Sequence, residues 1–142
     1  MTEHFQSVTE RVRPDLLVAV ALLTKRVSAP QKVRAIQYLR QTLHMGIVLE
    51  GQQSISILAY VNASYGVHAD LKSHTGCVIG IDRGPVYPKS TGQMLKTKSS
   101  TEAELVALSD STSQIVWTRL FLEEQGQDGA GYSLSRQYVS NC

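Results

Sequence analysis

The side chains able to do chemistry crowd into two short stretches. His68, Asp70, Lys72, His74 and Cys77 form the first, and Glu102 and Glu104 stand in the second, the run Lys-Ser-Ser-Thr-Glu-Ala-Glu that starts at Lys98. Imidazoles and a thiolate can hold zinc, but His68, His74 and Cys77 match no standard zinc spacing. They read instead as two turn or surface histidines and a small apolar cysteine in a strand. Carboxylates suit hard divalent cations or proton transfer. Glu102 and Glu104 would lie about 200° apart around a helix, so they cannot serve one site, and Glu102 is better read as a cap. There is no glycine loop for phosphate, no serine on a nucleophile elbow and no paired-cysteine zinc motif.

The elements that must position these groups read as helices first and strands later. Pro14 and Asp15 suit the first turn of a helix whose apolar run closes with Lys25 and Arg26. Pro30 interrupts, and a second helix from Gln31 to His44 places Val33, Ile36 and Leu39 at a spacing of three, with Gly46 as its stop. Residues 1–50 thus read as a two-helix appendage, and residues 51–142 as the main domain. From Ile55 to Asn62 the pattern alternates, which predicts a strand. Gly66 to Ser73 is a polar connection, and Thr75 to Ile81 a second strand. A turn at Asp82 to Pro85 leads to a short third strand, Val86 to Ser90, whose Pro88 marks an interruption or an unpaired edge. Gly92 to Lys98 is a short strand or a loop.

Both Ser99 with Glu102 and Thr101 with Glu104 fit a capping box, which starts a helix running to Gln125, with Gly126 as its stop. Its apolar residues cover almost the whole circumference. It is therefore either a deeply buried central helix or two helices broken near Ser109 to Ser113. A last strand, Tyr132 to Val139, follows. The fold class is α/β.

With 42% apolar and 18% charged residues in 142, the composition is that of a globular soluble domain. A net charge of +2 by itself implies no polyanionic partner. Two cysteines are too few for a disulfide framework. The longest apolar run, Leu16 to Leu23, is too short to cross a bilayer, and the polar N-terminus does not resemble a signal peptide. No membrane association is expected, and an intracellular location, cytoplasmic or nuclear, is.

The stretches YVNASYGVHADLKSHTG from Tyr60, GPVYPKS from Gly84 and KSSTEAELVALSDSTSQIVWTRLFLEEQG from Lys98 resemble the ribonuclease H domain of copia-type retrotransposon polyproteins. RVRPDLLVAVALLTKRVSAP from Arg11 and VRAIQYLRQT from Val33 resemble the segment that joins the reverse transcriptase to that domain. The resemblance implies an incomplete ribonuclease H-like fold (strand meander, long helix, further strand) and a chain normally fused to a reverse transcriptase. It implies cleavage of the RNA strand of an RNA–DNA hybrid, with two Mg2+ ions about 4 Å apart activating water and stabilising the leaving oxygen. The family draws its metal-binding acids from the first strand, the helix start, the fourth strand and a later helix.

In this chain the first-strand position carries Asn62, the helix position Glu104 and the fourth-strand position Ser140, while the last falls past Cys142. Glu104 is then the remaining acid and the one residue left to touch a metal, so no Mg2+ is expected to bind tightly. Asp110 lies about 120° off the face of Glu104, and Asp70 is read as a turn residue, so neither replaces the missing ligands. For substrate contact, Lys72, Arg83, Lys89, Lys96 and Lys98 supply cations, and Ser73, Ser99, Ser100 and Thr101 supply donors to phosphates. The expected function is that of a polyprotein remnant with impaired or absent nuclease activity. The alternative is a non-enzymatic module that binds an RNA–DNA hybrid.

Overall fold

A computed structural model describes residues 12–17, 20, 29–49, 55–127 and 131–135. The chain divides into two units, Met1–Val48 and Leu49–Cys142.

In the first unit Pro14–Leu16 forms a 3-10 turn with proline at its start, and α1 spans Ala29–Gln41. The helix begins two residues earlier than its sequence suggested, because Pro30 is tolerated in a first turn, where no N–H is needed. Most of the expected helix from Pro14 to Arg26 lies outside the described residues. A polar knot ties the turn to the end of α1. Arg13 donates to both Asp15 carboxylate oxygens, at 3.0 and 2.8 Å, and to Thr42 O and Oγ1 at 2.9 and 2.6 Å. Tyr38 donates its hydroxyl to the same carboxylate at 2.9 Å. The hydrogen bond from Arg13 holds the Asp15 carboxyl below the usual range, and the hydrogen bond to Asp15 raises the Tyr38 phenol.

The second unit is a mixed α/β layer. Strands β1 (Ser56–Ser64), β2 (His74–Ile81) and β3 (Gly84–Gly92) form an antiparallel meander, followed by helix α2 (Ser100–Glu124) and strand β4 (Gly131–Ser135). The strand order is β3-β2-β1-β4, with β4 parallel to β1. This order places Pro88 on an edge strand, where its missing N–H takes no bond from the ladder. Residues 93–99 form a loop, which settles the alternative left open for Gly92 to Lys98. Of the expected last strand, Gly131–Ser135 is described and residues 136–139 are not.

The β2–β3 hairpin turns on Asp82, which takes a left-handed backbone with φ 54°, a conformation that Asp tolerates better than bulky residues do. Its carboxylate then accepts from Ser56 N at 2.9 Å and Ser56 Oγ at 3.2 Å, pinning the start of β1. A Cβ at Gly80, just before the turn, would stand 3.2 Å from Gly84 O, closer than ordinary contact.

Odd-numbered β1 residues Ile57, Ala59 and Val61 pack with Cys77 and Ile79 of β2 and with Ala107 and Leu122 of α2. The helix departs from both sequence alternatives. It is unbroken, and it buries one stripe (Ala103, Ala107, Ser111, Thr118, Leu122) while Leu105, Val116, Trp117, Leu120 and Phe121 stay exposed. The break offered as an alternative near Ser109 to Ser113 is absent. Within that stretch Ser111 and Thr112 turn their hydroxyls back onto the helix, donating to Ala107 O and Leu108 O at 2.8 and 2.7 Å. Among the described residues no helix is long and apolar enough to cross a membrane.

Candidate functional site

The start of α2 is built by a reciprocal cap. Ser99 Oγ accepts from Glu102 N at 3.2 Å, and Glu102 Oε2 accepts from Lys98 N at 2.6 Å. The pair Ser99 and Glu102 that the sequence offered is thus used, with Glu102 reaching the N–H one residue before the cap instead of the cap's own. Glu104 sits half-buried, one residue after the fully buried Ala103 and one turn before Leu108 of the core margin.

What holds this end of the helix over the sheet is Gln93. Its Nε2 donates to Ala103 O at 2.7 Å and to Thr75 Oγ1 at 3.1 Å. Thr75 pairs with Ala63, the residue after Asn62. Asn62 and Glu104 are thereby brought to the same end of the layer. They do not share a face: strand alternation turns Asn62 away from the side on which Val61 packs with α2. Its Oδ1, the atom that would meet a cation, accepts from Ala63 N at 2.9 Å. Ser140 lies outside the described residues.

Around this end runs a buried set of polar groups. Ser73 Oγ lies 2.8 Å from Thr97 Oγ1 and accepts from Gly66 N at 3.2 Å. Tyr65 donates its hydroxyl to Lys98 O at 3.0 Å, tying the β1–β2 loop to the start of α2. His68 Nε2 and His74 Nδ1 are 3.0 Å apart, and His74 Nε2 lies 2.7 Å from Ser90 Oγ. Cys77 does not join the histidines. It faces the core, opposite His74, where burial pushes its thiol pKa up against a weaker downward pull from Ser111. Among the described residues no three of His, Cys, Asp or Glu converge to hold a metal ion.

The residues read as phosphate contacts separate on folding. Lys96, Lys98, Ser99 and Ser100 are exposed together at the start of α2. Lys72 is half-buried, 3.8 Å from Asp70. Lys89 pairs with Cys77 and so lies on the α2 side of the sheet. Ser73 is a correction: it is fully buried and bonded internally, so it offers nothing to a phosphate. Sequence reasoning missed Gln93, Thr97 and Ser90. All three are buried polar residues, two of them in a loop without hydrophobic period, and no local signal marks them.

The chain is 31% identical over 121 residues to the retrovirus-related Pol polyprotein from transposon RE2 of Arabidopsis thaliana, covering 80% of this chain and 8% of that protein. It is 28% identical over 137 residues to the Pol polyprotein from transposon TNT 1-94 of Nicotiana tabacum, covering 92% of this chain and 10% of that one. With secreted RxLR effector protein 161 of Plasmopara viticola it shares 30% identity over 112 residues, covering 74% of this chain and 79% of the effector. The similarity to these Pol polyproteins supports a retrotransposon polyprotein origin for the chain, which spans about a tenth of their length. No family model and no solved structure matches the chain.

Proposed function

We propose that the second unit is a ribonuclease H-like domain of copia-type polyprotein descent in which hybrid cleavage is impaired. The strand order β3-β2-β1-β4 with α2 entering between β3 and β4 supports the fold part of this reading. The observation that carries the functional part is Asn62. A neutral amide stands where the resemblance expects an acid, and its oxygen is engaged by Ala63 N.

A Mg2+ pair needs several carboxylate oxygens to offset its charge. The described residues do not fit that group: Glu104 is the one acid at an expected position, so no catalytic step is derived through the metals. The direct test is Mg2+-dependent cleavage of an RNA–DNA hybrid by the full chain, beside its Glu104→Gln variant. Equal, background-level cleavage is expected. Cleavage that Glu104→Gln abolishes would overturn the reading.

A second reading is supported by the exposed group Lys96, Lys98, Ser99 and Ser100 beside the helix start. Here the domain binds a hybrid without cutting it. Binding should then weaken as salt rises, and further on replacing Lys96 and Lys98 with Gln. Affinity indifferent to salt would eliminate it.

A further inference from the structure

We propose that His68 and His74 form a two-imidazole site for a borderline divalent cation of the zinc type, separate from the carboxylate position at Glu104. The facing nitrogens, His68 Nε2 and His74 Nδ1, are 3.0 Å apart. Two imidazoles on one tetrahedral zinc, each bonded at about 2.0–2.1 Å, would hold their nitrogens about 3.3–3.4 Å apart. Admitting the cation therefore takes a movement of a few tenths of an ångström with some ring rotation.

The two rings have unequal freedom, as such a site requires. His74 is buried at the start of β2, and its outer nitrogen is held 2.7 Å from Ser90 Oγ on β3. An outer-nitrogen bond of this kind orients a metal-binding imidazole and sets its tautomer. His68 is half-buried in the β1–β2 loop, and in the proposed site water would complete the coordination. Asp70, two residues on, interacts electrostatically with His68, and Lys72, 3.8 Å from its carboxylate, offsets part of that charge.

Binding balances without loss of charge on either ring. In the empty pair one hydrogen lies between the facing nitrogens. On coordination the cation takes its place, and that hydrogen passes through solvent to an outer nitrogen. His74 then carries its N–H at Nε2, toward Ser90, and His68 carries its own at Nδ1. Two nitrogen donors favour zinc, nickel or copper over magnesium, which prefers oxygen. Cys77 takes no part, being on the opposite face of β2.

The test uses the full chain, titrated with zinc chloride and separately with magnesium chloride, read by calorimetry and by the melting temperature. Saturable one-to-one zinc binding that raises Tm is expected, with no such effect of magnesium. His68→Ala should abolish it, and Ser90→Ala should weaken it about tenfold. Should His68→Ala disturb the loop, nitrogen NMR of the unmodified protein decides, since zinc must shift His68 Nε2 and His74 Nδ1 together. Absence of saturable zinc binding, zinc binding that survives His68→Ala, or unshifted ring nitrogens would each overturn the proposal. None of these readouts depends on nucleic acid, so the ribonuclease H-like reading stands or falls separately.

Discussion

Two regions of the second unit are equally hidden from water and are held by different physics. Under the middle of α2, Ile57, Ala59, Val61, Cys77 and Ile79 meet Ala107 and Leu122 in an apolar core. At the end where β2 begins, Ser73, His74, Thr75, Ser90, Gln93 and Thr97 are just as buried and are joined by side-chain hydrogen bonds. Apolar contact is strong and non-directional, so it sets how tightly the layers close. Hydrogen bonds have modest net strength but fixed geometry, so they decide where a loop or helix end comes to rest. Asn62 and Glu104 are placed by the second kind of region, through the Gln93 bridge.

The comparison can be broken most decisively at Ile79, which is fully buried. Ile79→Ala should cost about 2–5 kcal/mol in urea unfolding, and Ile79→Val about 1 kcal/mol. Gln93→Ala comes next, at about 1–3 kcal/mol, because it strips a partner from Thr75 and Ala103. Its mark is local as well: amide hydrogen exchange should quicken in residues 100–104 before it does in β1. If Gln93→Ala were costlier than Ile79→Ala, or left that exchange unchanged, the proposed division of labour would be wrong.

Ser99→Ala should lose about 1 kcal/mol by removing the acceptor for Glu102 N, and Ser99→Asp should retain most of it. The smallest effect is expected at the other polar knot, in the first unit. Because Arg13 lowers the folded pKa of Asp15, the stability this pair adds is present above the unfolded carboxylate pKa, about 3.9, and is lost as pH falls through the lower folded value. Asp15→Asn should remove that acid-side dependence at a cost within about 1 kcal/mol near neutral pH. Circular dichroism during acid titration of the two proteins would show it, and superimposable titrations would count against the knot.

Much of the architecture was legible locally. Alternation from Ile55 to Asn62 marks β1, because side chains in a strand point to opposite faces in turn. The Ser99 and Glu102 pair marks the start of α2, because that spacing satisfies backbone donors within one turn. Pro88, which cannot donate to a neighbour, marked either an interruption or an edge, and the strand order decided for the edge.

Tertiary structure alone decided the rest. Whether α2 was buried all round or broken depended on what packed against it, and the sheet covers a single stripe while the hydroxyls of Ser111 and Thr112 are met by the helix itself. Asn62 and Glu104 could be named from the sequence, but the faces they occupy depend on strand register and on Gln93, residues distant along the chain. The approach of His68 to His74, and the removal of Cys77 from both, follow from a loop closing over one face of a strand whose alternate residues enter the core. Residue type and spacing thus determined the elements, because those depend on near neighbours. Which groups meet was settled only when distant segments were brought together by burial and hydrogen bonding.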